Sequence, residues 1–173
     1  ERGLASDGTE PVAEAMLCSL RTIVPLVQGE FVEAAELADT AVRLCEPSNL
    51  SVWLSNAYSL RGSTRVWLGQ IDDGLADLER GATLYETAGA KASLSFLLYR
   101  WAEGLLLAGS ADAARVARRA VELAACAGER ANEASALHVL GQVVARDAPH
   151  GDAADAHYRR ALVLGTEIGL RPL

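Results

Sequence analysis

Apolar residues recur along this chain at steps of three and four, with polar residues filling the intervals. Leu75, Leu78, Ala82 and Tyr85 form one such stripe. That spacing lines one face of a helix, and no segment alternates with the period of two that a half-buried strand requires. The pattern predicts helices over 11–28, 30–45, 51–68, 71–87, 91–108, 111–127, 130–146 and 152–168. Ser51, Ser110 and Asp152 stand where N-cap residues belong, and Pro11 suits a first helical turn. Pro47 falls beyond a helix end. Pro25 falls inside the first helix and is expected to kink or shorten it. Residues 1–9 show no period and read as a linker or frayed end.

The helices repeat as pairs. Glycines that precede a helix start fall at Gly29, Gly69, Gly109 and Gly151, at intervals of 40, 40 and 42 residues. A small residue with leucine three further on follows each of them: "AVRL" at Ala41–Leu44, "GATL" at Gly81–Leu84, "AVEL" at Ala120–Leu123 and "ALVL" at Ala161–Leu164. Five residues past each leucine comes Asn49, Gly89, Gly128 or Gly169, residue types that tolerate the left-handed backbone past a helix end. Three markers with one period define four hairpin units, about 11–49, 50–89, 90–128 and 129–169, within one helical domain over 10–173.

The stretch "GQIDDGLADLERGATLYETAG", residues 69–89, holds Gly74 and Gly81 inside a helix. Each glycine costs a helix about 1 kcal/mol relative to alanine. Close approach of a neighbouring backbone would offset that loss, and the seven-residue spacing points both glycines the same way.

Composition narrows the function. The formal net charge of −7 disfavours direct binding to nucleic acid, which needs a positive surface. Arg115, Arg118 and Arg119, the densest basic cluster, read as a solvated helix face. Cys18, Cys45 and Cys126 are scattered, without metal or disulfide spacing, and read as small buried hydrophobes in a reducing compartment. No run is apolar for the length of a membrane span: Arg100 and Glu103 interrupt the closest, "SLSFLLYRWAEGLLLAG". No signal peptide is visible, so a cytoplasmic location is expected. The chain opens on Glu1 and closes on "GLRPL", which reads as a piece of a longer protein.

Catalytic chemistry has little to draw on. His138, His150 and His157 have no ligand spacing around them, and Ser59 and Ser63 have no His/Asp context. Asp72, Asp73 and Asp77 read as carboxylates gathered at a helix N-terminus, where the helix dipole favours them. We expect no catalytic, cofactor or metal site. Trp53, Trp67 and Trp101 are expected in the core, since large aromatics bury the most area.

A hairpin with a small residue in its first helix and small-x-x-Leu in its second resembles the tetratricopeptide repeat. Gly62 in "YSLRG" and Gly141 in "LHVLG" match that family's small site in helix A; the first unit has Thr22 there instead. Gly69 in "WLGQI" matches the turn. Gly74 and Ala114 match the small site early in helix B, and Tyr158-Arg-Arg-Ala161-Leu matches its close. The resemblance covers 11–173, in units longer than the family's. The wording of 68–109 and 129–173 also looks like the helical repeats of large bacterial signalling ATPases linked to nucleotide cyclases or LuxR-type DNA-binding outputs. No GxxxxGK[ST] phosphate loop occurs here.

The resemblance implies an all-α, TPR-like superhelix of four hairpins whose first helices line a concave face. Ser59, Ser63, Phe96, Tyr99, Glu103, His138 and Gln142 map there as partner-binding residues. The implied function is a non-catalytic scaffold that binds a protein segment or a neighbouring domain of its parent chain. The alternative is a homodimerisation arm that pairs through exposed terminal helices.

Overall fold

A computed structural model describes residues 9–48, 51–148 and 152–169. Among them are eight α-helices, one 3-10 turn and no strand. The helices are α1 (Thr9–Gln28), α2 (Phe31–Cys45), α3 (Ser51–Trp67), α4 (Ile71–Thr87), α5 (Leu94–Leu107), α6 (Ala113–Ala127), α7 (Arg130–Asp147) and α8 (Asp152–Glu167). The 3-10 turn, Glu46–Ser48, holds Pro47 beyond the end of α2. α1 runs on through Pro25, which is buried, to Gln28. The expected early stop is not found, since the helix ends at Gln28, where the pattern predicts. Gly29, Gly69, Gly109, Gly89, Gly128 and Gly169 all have positive φ, as their repeated positions require. Asn49 and Gly151 lie outside the described residues.

The chain divides into two compact units at the boundary between its second and third repeats, Glu1–Ala90 and Lys91–Leu173. In the first, α3 is central and touches α1, α2 and α4. Cys18 of α1, Ala41 and Val42 of α2, and Ala57 and Tyr58 of α3 form one buried cluster. In the second, α7 is central and touches α5, α6 and α8. Ala134 and Leu137 of α7 and Leu164 of α8 pack together, with Val121 of α6 and Ala161 against them.

The two glycines of α4 sit at backbone crossings. A Cβ placed on Gly74 would lie 2.8 Å from the Gly62 carbonyl oxygen and 2.9 Å from the Val66 nitrogen. A Cβ on Gly62 would lie 2.7 Å from the Gly74 carbonyl oxygen. One on Gly81 would lie 2.7 Å from the Ser55 carbonyl oxygen. The facing atoms are main chain and cannot swing aside, so glycine is what permits α3 and α4 to approach so closely. Thr22, where the first unit lacks a small residue, is fully buried and donates its hydroxyl to the Cys18 carbonyl in its own helix at 2.8 Å.

Three sequence expectations need correction. Trp67 is 44% exposed, stacked on Phe31 at a centroid distance of 5.3 Å, and Trp53 and Trp101 are only half-buried. The buried aromatics are Tyr58 and Tyr85 instead. Trp67 closes α3 beside the hairpin turn, where one ring face is all that the start of α2 can cover. Cys126 is exposed, whereas Cys18 and Cys45 are buried. Asp77 is buried rather than part of a solvated acidic turn. It accepts two bonds from Arg61, at 2.7 and 2.8 Å, and one from Arg65 at 2.8 Å. Asp72 and Asp73 stay exposed in the first turn of α4.

A candidate partner-binding face

Five of the seven residues expected to bind a partner fall on α5 and α7, inside the second unit. Phe96, Tyr99 and Glu103 follow one another at helical spacing on α5. Phe96 and Tyr99 meet edge to face at 5.5 Å. The Arg100 guanidinium carbon lies 5.2 Å from the Phe96 ring centre and 5.6 Å from that of Tyr99. Both distances suit a cation–π contact. Arg100 is buried, and its Nε–H has no hydrogen-bond partner. An unmet buried donor of this kind costs about 1–3 kcal/mol. Sequence reading took Arg100 only as a charge that interrupts an apolar run; its place between two ring-bearing positions was the available signal.

Glu103 is half-buried one turn further on. Burial pushes its carboxyl above the ordinary carboxylate range, and the positive ends of Arg100 and His138 pull it back only in part. His138 projects from α7, exposed, with its ring 5.7 Å from that of Tyr158 on α8. Gln142 follows one turn later on α7 and is half-buried. Behind it, Gly141 faces the Tyr158 ring, whose Cε1 would lie 2.6 Å from a Cβ there. The second unit therefore carries two rings, a buried cation and a carboxyl of raised pKa on α5, and an imidazole and an amide on α7.

Ser59 and Ser63 do not present their hydroxyls to solvent. They are 0% and 3% exposed, and neither Oγ has a hydrogen-bond partner. The same repeat positions on α7, His138 and Gln142, are exposed and half-buried, so the position is closed on α3 and open on α7. His150 lies outside the described residues, and His157 is half-buried.

The start of α5 is built from a distance. Ser93 takes a left-handed conformation, φ 63°. Its N–H donates to Glu129 at 2.6 Å, Ser95 donates its hydroxyl to the same carboxylate, and Asn132 donates at 3.1 Å. Partial burial works against the Glu129 charge, but those three donors outweigh it and hold its pKa below the usual carboxylate value. The aromatic face on α5 is thereby pinned to the α6–α7 turn.

Other features offer less. An open cleft of about 510 Å³ in the first unit is lined by Glu36, Asp39, Thr40, Arg43 and Arg61. Its lining is charged and partly self-paired, Arg43 to Thr40 and Arg61 to Asp39, unlike the mostly apolar wall of a small-molecule site. Arg115 pairs with Asp112 at 3.1 Å on an exposed helix face. Among the described residues no group of His, Cys, Asp and Glu is placed to hold a metal ion, and no helix is long and apolar enough to cross a membrane. No protein-family model matches the chain, and neither does any curated protein.

Proposed function

We propose that this chain is a non-catalytic interaction module of the tetratricopeptide type it resembles, working in the cytoplasm as part of a bacterial signalling protein. Its α5–α7 face binds an extended protein segment, supplied by another protein or by a neighbouring domain. The observation that carries this reading is the half-buried ring pair of Phe96 and Tyr99, backed by the Arg100 guanidinium at 5.2 and 5.6 Å and followed one turn on by half-buried Glu103. An apolar side chain of the segment would cover the rings. Support for the resemblance comes from the paired helices, the recurrent positive-φ turns and the glycine crossings.

Selection of a displayed random-peptide library on the purified chain tests the proposal. Peptides that bind should lose at least about tenfold in affinity when Tyr99→Ala and Gln142→Ala are combined, since interface aromatics carry disproportionate energy. The melting temperature should fall by no more than about 4 °C for these partly exposed sites. Retained affinity, or steady turnover of a nucleotide by the chain alone, would count against the reading.

A further inference from the structure

The first and last helices carry apolar faces whose counterparts inside the chain are covered. The step that takes Gly29 to Gly69 also takes Leu17, Leu20 and Val24 of α1 to Ala57, Leu60 and Thr64 of α3. Aligning Gly62 with Gly141 takes those three on to Ala136, Val139 and Val143 of α7. All six counterparts are at most 3% exposed. Leu17, Leu20 and Val24 are 55%, 53% and 58% exposed.

α8 shows the complementary pattern. Its "ALVL" aligns Ala161 and Leu162 with Ala41 and Val42 of α2, and with Ala120 and Val121 of α6. Ala41, Val42 and Ala120 are at most 1% exposed, and Val121 is half-buried against the α7 cluster. Leu162 is 64% exposed, with Ala161 and Gly165 half-open on either side of it.

What covers such faces is on view twice. α2 packs on α3 in the first unit, with Ala41 and Val42 against Ala57 and Tyr58, and α6 packs on α7 in the second. We infer that the chain self-associates head to tail: α8 of one copy docks on α1 of another and repeats the α2–α3 contact. Transferring that register sets Leu162 against Leu17. The sizes fit, because α1 offers Leu17, Leu20 and Val24 as knobs and α8 offers Ala161 and Gly165 as the recess. A single helix pair buries less than a standard interface, so the association is weak and needs high concentration to populate. The contact is heterologous, so it grows into chains or closes as a ring. This inference goes beyond the peptide-binding reading and does not rest on it.

Sedimentation equilibrium of the intact chain, up to about 1 mM to reach weak affinities, tests it with Leu17→Glu and Leu162→Glu. Both sites are more than half exposed, so the monomer should keep its helical circular dichroism. Leu20→Glu repeats the α1 test if Leu17→Glu misfolds. Wild type should gain mass with concentration. Each variant alone should associate at least about a hundredfold more weakly, since a charge enters an apolar contact. An equimolar mixture of the two should form a dimer, because one intact α8 face meets one intact α1 face. A wild type that stays monomeric overturns the inference. So does a Leu162→Glu variant that still dimerises, which would mean α1 pairs with α1, or a mixture that stays monomeric.

Discussion

Gly74 is a residue at which the general rule and the local geometry give opposite signs. Replacing a glycine inside a helix with alanine normally stabilises it by about 1 kcal/mol. Here the added methyl would meet the Gly62 carbonyl and the Val66 nitrogen of α3 below 3.0 Å. Overpacking against unyielding main chain costs about 1–3 kcal/mol. Gly74→Ala should therefore lower the urea midpoint, and a midpoint that rises would show that α3 and α4 do not cross closely there. The sequence already carried this argument, since two glycines in an otherwise strong helix need a reason. It did not reveal Asp77 as a buried partner of Arg61 and Arg65. A carboxylate in the second turn of a helix looks alike in sequence whether solvated or bonded across the hairpin. The buried serines of α3 were misplaced for a related reason: mapping to a face cannot tell which helix of a stack is enclosed.

At the scale of elements, the limits of α4 were fully legible, with Ile71 and Thr87 recovered at both ends. α5 was not: expected from Lys91, it begins at Leu94. Its start depends on Glu129, a residue 36 positions away that captures the Ser93 N–H, and no local pattern announces such a partner. Likewise α6 begins at Ala113 rather than Ala111, after Ser110 accepts the Asp112 N–H at 3.2 Å. The Glu129 link predicts a pH dependence. Its folded pKa is depressed, so its contribution is present above the unfolded value of about 4.3 and is lost as pH falls through the folded value. Wild type should be more stable than Glu129→Gln at pH 7, and the difference in urea midpoint should shrink towards pH 3. A gap that is constant with pH would mean that the carboxylate charge does not hold the start of α5.

For the whole molecule, the period of forty residues was enough to read eight helices in pairs, because turn glycines and small crossing residues are imposed by backbone geometry and recur with it. The candidate face was legible in part: Phe96, Tyr99, Glu103, His138 and Gln142 came from repeat position, while Arg100 emerged only from burial and an unmet donor. The proposed function has the chain hold a protein segment on α5 and α7. The most direct measurement is the change in backbone amide resonances when a library-selected peptide is added to isotopically labelled protein. The largest shifts are expected over 96–103 and 138–142, with those of α2–α4 nearly still. Shifts centred on α2–α4, or an even scatter across both units, would contradict it.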